Sequence, residues 1–321
     1  MSLFPEPEHD KPPQAARLAP RLRALAEKGI HLGTSSWKYE GWLGSVYDAE
    51  RYKTRGKFSR KKFEEACLAE YAETFPTVCG DFAFYQFPSE AYWERLFGQT
   101  PEGFTFGFKV PEDITVATWP SHARYGTRAG QENESFLDAE VFERFFARRL
   151  ERYKDRVATL IFEFGTFNQT TFPTPADFMA RLDPFLGALP EGFRYGVEIR
   201  NSDYLSPAYF DLLASHNVAH VFNAWTRMPR LEDQAQLSDA YTADFTVVRA
   251  LLRKGRPYEQ AVRKFEPYLE VQEPDEGARE GMRRIAERSR EARQPAYLFV
   301  NNRLEGNAPG TIEAVVQALV V

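Results

Sequence analysis

Along this chain, short apolar runs alternate with stretches of helical period. Ile30 to Trp37 reads as a short strand that breaks into the small-residue segment Gly33-Thr34-Ser35-Ser36. Further strand-like runs fall at Asp81–Phe87, Phe104–Val110, Ala158–Phe164, Arg194–Ile199, Val218–Phe222, Phe245–Arg249 and Ala296–Asn301. Helical patterns lie between most of them, at Phe63–Thr74, Asp177–Leu189, Pro207–Ser215, Arg279–Arg293 and Thr311–Leu319. Phe142, Phe145, Phe146 and Arg149 follow the i, i+3, i+4, i+7 spacing of one helix face. Asp177 is the expected N-cap of its helix. A further helix, closed by Gly29, is predicted from Gln14 to Lys28.

Strand–helix alternation predicts parallel pairing, because a parallel crossover needs a connection long enough for a helix. Eight such units over about 290 residues predict an α/β fold closed as a (β/α)8, TIM-barrel-like single domain. The expected organisation is an N-terminal tail and short helix over residues 1–29 and a barrel over residues 30–321. No Gly-x-Gly-x-x-Gly follows the first strand, which argues against an open dinucleotide-binding sheet.

Composition narrows the partners. Of 321 residues, 43% are hydrophobic and 27% charged, which is globular composition. The net charge of −5 gives no overall field for nucleic acid. No apolar run is long enough to cross a membrane, and residues 1–13, rich in Pro and Glu, read as a loose tail rather than a signal peptide. The two cysteines, Cys67 and Cys79, read as reduced, buried thiols of a cytoplasmic protein.

In a barrel of this kind the chemistry belongs at the C-terminal ends of the strands. Those ends carry Trp37, Tyr85, Lys109, Glu163, Glu198, Arg200, Asn223, Trp225, Arg249, Asn301 and Asn302. Glu198 and Arg200 stand two apart, on one face of a strand covered on both sides. They are either a structural ion pair or part of a binding site, and the residues alone leave both open.

Five segments in order resemble the YecE-like proteins, known as domain of unknown function 72. They are Gly33-Thr34-Ser35-Ser36-Trp37-Lys38-Tyr39-x-x-Trp42-x-Gly44, Phe84–Ser89, Phe108-Lys109-Val110-Pro111 with Ile114-Thr115, Val197–Arg200, and Phe299–Asn302 with Gly306–Pro309. The resemblance spans roughly residues 30–320. It implies a TIM barrel and, from a loose relation to sugar isomerases, an enzyme of unestablished activity. Two histidines usual in the family are replaced here, by Val116 and by Arg303.

Three functions fit this pattern. The first is a metal-free, cofactor-free enzyme acting on a small anionic ligand such as a phosphorylated sugar or nucleotide. Lys109, Arg200 and Arg249 would clamp the anion, since guanidinium forks match carboxylate and phosphate oxygens. Glu198 would serve as acid or base beside Glu163. Asn301 and Asn302 would donate to ligand oxygens, and Trp37, Trp42, Tyr85 and Trp225 would form an apolar wall. The second is a metal-assisted isomerase or hydrolase using Glu163, Glu198 and Asp203, disfavoured because the five histidines show no ligand spacing. The third is a nucleic-acid-binding protein using the basic segment 51–62, which holds seven Lys or Arg and no acid, with Tyr47 and Tyr52 for stacking. A solvated loop is the favoured account of that segment. Oligomeric state stays open.

Overall fold

Eight parallel strands close into one barrel, each beside its neighbour in chain order and the last beside the first. They are β1 (Ile30–Thr34), β2 (Thr77–Gly80), β3 (Thr105–Lys109), β4 (Val157–Glu163), β5 (Tyr195–Glu198), β6 (Ala219–Ala224), β7 (Thr246–Ala250) and β8 (Ala296–Val300). The computed structural model describes residues 11–81 and 83–319. The tail expected over residues 1–13 lies outside these apart from its last three residues, of which Pro13 already begins the helix Pro13–Ala26.

The helices mostly match their apolar periods, with instructive differences. The helix after β4 starts at Pro175 and its N-cap is Thr174, not Asp177. Asp177 is the other half of a capping box. Its carboxylate accepts from Thr174 N at 2.8 Å, while Thr174 Oγ1 accepts from Asp177 N at 3.4 Å. The three-Phe stretch after β3 is helical but widened by one π-type segment, Glu143–Ala147. Phe142 and Phe146 enter the core, and Phe145 meets Phe87 instead. After β6 only two short turns form, Leu231–Gln234 and Ser238–Ala240.

The strand expected at Asp81–Phe87 is the clearest miss. The strand is Thr77–Gly80, and Asp81 begins a loop turned by a Phe84 N to Asp81 O bond. Aromatic density mimics strand propensity, whereas the short true strand carries only two apolar side chains, Val78 and Cys79.

Inside the barrel, one apolar cluster joins Cys79, Ile161, Val221, Val247, Tyr297 and Phe299. Gly107 makes room for it. A Cβ there would stand 2.9 Å from Phe299 Cζ and 3.4 Å from Cys79 Cβ. A Cβ on Gly196 would likewise meet Val221 at 2.9 Å. Side chains alternate along a strand, so the residue two further on faces inward one layer higher. From Cys79, Gly107, Ile161, Gly196, Val221, Val247 and Phe299 this step reaches Asp81, Lys109, Glu163, Glu198, Asn223, Arg249 and Asn301. The barrel interior is therefore apolar below and polar at its C-terminal mouth.

Candidate functional site

Six charged side chains interlock at that mouth. Glu163 and Glu198 are direct neighbours across the β4–β5 ladder. Two carboxylates side by side repel each other unless cations bridge them, and two arginines do so. Arg200 Nη2 lies 3.0 Å from Glu163 Oε2 and 2.5 Å from Glu198 Oε1. Arg249 Nη1 donates to Glu198 Oε2 at 2.5 Å and also to Glu163 Oε2. Lys109 Nζ reaches Glu163 Oε1 at 3.1 Å. Asp81 completes the set more loosely, 3.6 Å from Lys109 and 3.5 Å from Arg249.

Burial grades these groups. The Glu198 side chain is 0% exposed, that of Glu163 17%, and that of Asp81 47%. Glu163 is thus the more open of the two bridged carboxylates, and Asp81 stands at the entrance. Burial alone would raise the Glu163 carboxyl, but Lys109, Arg200 and Arg249 outweigh it and hold it well below the usual carboxylate range. Burial opposes the charge on Arg249, yet Glu198 and Glu163 win and push its pKa well above its ordinary value. Below the network, burial lifts the Cys79 thiol to about 12 against the pull of Arg249, so it stays protonated.

Two rings flank the network. Arg200 stacks on Trp225 at 3.8 Å, and Lys109 Nζ sits 3.6 Å from the centre of the Phe84 ring. Arg200 is only 5% exposed, yet its Nε and Nη1 are buried without a hydrogen-bond partner among the described residues. Such donors are costly to leave unmade. Ser35 Oγ and Asn223 Oδ1 are in the same condition at the ends of β1 and β6.

The remaining candidates take different places. Asn223 Nδ2 donates to Ile199 O and Val221 O, at 3.2 and 3.3 Å. Asn301 caps the turn Asn302–Glu305 by accepting from Arg303 N, and Asn302 Oδ1 accepts from Ala308 N at 2.7 Å. The carbonyl ends of both asparagines therefore hold the β8 loop in shape. Trp37 lines a groove of about 620 Å³ with Lys38, Lys61, Tyr92 and Arg95, between the helices Arg60–Ala72 and Glu90–Gly98. Trp42 is fully buried against Tyr39 and Tyr47. Tyr85 is 56% exposed and packs on Arg124, while Phe84 takes the position beside Lys109. Asp81 and Phe84 were missed because both vanish into the misplaced strand. Their signal is position, since Asp81 is the residue just beyond the true end of β2.

The metal reading does not fit the donor set. Asp203 is exposed, away from the cluster, and among the described residues no three His, Cys, Asp or Glu side chains gather as ligands. Glu163 and Glu198 already face three cations, which would repel a divalent ion. The basic segment 51–62 forms a hairpin, Lys53–Thr54 with Lys57–Phe58, and then a helix. Several of its cations are paired: Arg51 with Glu73, Lys53 with Glu50, Arg60 with Glu64. Tyr47 and Tyr52 cannot stack on bases, because both are buried, and Tyr52 donates to Glu70 at 2.5 Å.

Residues 31–321 match the family described as protein of unknown function DUF72. The chain belongs to the DUF72 family. A DUF72 family protein from Thermotoga maritima is similar in structure, with a TM-score of 0.57 at 18% identity, covering 90% of this chain and 96% of that one. A DUF72 family protein from Enterococcus faecalis has a TM-score of 0.58 at 15% identity, covering 91% of this chain and 97% of that one. These likenesses show the DUF72 barrel fold and carry no activity. No curated protein matches the chain. Among the described residues, no helix is long and apolar enough to cross a membrane.

Proposed function

We propose that the C-terminal mouth of this DUF72 barrel is an enzyme-type site for a small, oxygen-rich anionic ligand of the phosphorylated-sugar kind. One observation carries the reading: Arg200 is held by two carboxylates and a tryptophan, yet keeps two buried donors, Nε and Nη1, without partners. A guanidinium fixed this way is organised before the ligand arrives, and presents donors to hydroxyl, carbonyl or phosphoryl oxygens. Trp225 beside Arg200 and Phe84 beside Lys109 supply apolar walls.

The expected clamp changes character. The charges of Lys109, Arg200 and Arg249 are cancelled by Asp81, Glu163 and Glu198, so the network orients oxygens rather than collecting net charge. Glu163, ionised and partly open, is the carboxylate that meets the ligand, as a nucleophile or a stabiliser of positive charge. Glu198, fully buried, fixes Arg200 and Arg249 behind it. A thermal-shift screen of sugars, sugar phosphates and nucleotides tests the reading. A binding ligand at a hundred times its Kd adds about 2.7 kcal/mol, a shift of several degrees. That shift should vanish in Arg200→Ala. A ligand whose shift survives Arg200→Ala binds elsewhere.

A further inference from the structure

The network has no net charge, so it gives an anion no electrostatic reason to enter. One cation at the mouth differs. Among the described residues, no carboxylate lies within the 4.0 Å ion-pair distance of Arg303, which lies in the turn Asn302–Glu305 after β8. Its guanidinium stacks on Tyr258 at 4.4 Å, and its Nε is buried without a hydrogen-bond partner. Burial raises the Tyr39 hydroxyl, with Arg303 opposing the shift and Asp81 adding to it. Tyr39 packs edge-on against Tyr268 at 5.4 Å, and Tyr39 and Trp225 both lean on the cluster of Leu251, Leu252 and Phe265. Arg303, through Tyr258 on the helix that ends at Phe265, and Arg200, through Trp225, thus both border this one cluster. Barrels of this architecture often take phosphate at the loops after strands seven and eight, and Arg303 occupies the second of these.

We propose that Arg303 is the phosphate anchor of this site: it holds the ligand's phosphate between Tyr39 and Tyr258 while the rest of the ligand lies over the Glu163–Arg200 network. This deepens the functional reading above and rests on it for the second half only. A guanidinium with no ion pair offers its full charge to a phosphate, whereas the charges of Arg249 and Arg200 are already balanced by carboxylates. The side chain is held by stacking rather than by an ion pair, so it is positioned without being neutralised.

Inorganic phosphate is the direct probe, titrated by calorimetry or thermal shift against wild type, Arg303→Gln, Arg303→Lys and Arg200→Gln. Orthophosphate should bind the wild type. Binding should weaken about ten-fold or more in Arg303→Gln, as loss of a charged hydrogen bond implies. It should recover in part in Arg303→Lys and persist in Arg200→Gln. Arg303 is partly exposed, so the two Arg303 variants should keep the wild-type melting temperature without phosphate. No response of the wild type, a response that survives Arg303→Gln, or one lost only in Arg200→Gln would each overturn the assignment. A sugar phosphate that stabilises wild type and Arg303→Gln equally would overturn the anchor and leave the Arg200 site standing. An Arg303-dependent phosphate response with no Arg200-dependent ligand would do the reverse.

Discussion

Glu198 shows what a single residue carries in this molecule. It is fully buried and balances two arginines that are themselves nearly inaccessible. Glu198→Gln leaves those cations short of a partner and should cost about 3–5 kcal/mol, read by urea denaturation. A loss under 1 kcal/mol would mean the network relaxes into water. Glu163 makes a pH-dependent contribution. Its folded pKa lies below the unfolded value of about 4.3, so its stabilisation is complete above that pH and is lost as pH falls through the folded pKa. The stability gap between wild type and Glu163→Gln should therefore be full at pH 7 and shrink below about pH 4. At this scale the sequence was informative where strands end in charge, as at Lys109, Glu163, Glu198, Arg200 and Arg249. It was silent on pairing: nothing in Val197-Glu198-Ile199-Arg200 says that Glu198 answers Arg249, 51 residues away.

At the scale of elements, periodicity located most helices and strands, and local chemistry set their ends. Thr174 closes its helix through a reciprocal pair with Asp177, so Thr174→Ala should cost about 1 kcal/mol by chemical denaturation. The sequence pointed to Asp177, but the cap lies one residue before Pro175, where Pro at N1 places it. The misplaced β2 has a different origin. Phe84, Tyr85 and Phe87 look like strand residues, yet they form loop and mouth, because a barrel can use rings wherever they find a partner. The interior offers a sharper test. Gly107 yields its volume to Phe299, so Gly107→Val should overpack the barrel and cost roughly 1–3 kcal/mol, seen as a lower melting temperature.

For the whole molecule, the barrel separates structure from chemistry along its axis. Its N-terminal half holds His31 and His220, second residues of β1 and β6. Burial lowers them to about 4 and about 3, assisted at His31 by Arg194 and opposed at His220 by Gln234. Both are neutral when folded and titrate near 6.5 when unfolded, so stability should fall as pH drops below about 6.5. Each histidine should add about 1.4 kcal/mol per pH unit until its folded pKa is reached. His220→Gln should flatten that slope; an unchanged slope between pH 6 and 4 would mean His220 is hydrated in the fold. The C-terminal half holds the charged mouth, and its fold class was legible because eight alternations leave few other closures. The ligand was not legible, because charge balance depends on which groups meet in space. The direct test is a crystal structure with whichever sugar phosphate gives the largest thermal shift. The account expects ligand oxygens within hydrogen-bond distance of Arg200 Nε and Nη1, with Glu163 facing the ligand. Density in the groove beside Trp37, with Arg200 untouched, would contradict it.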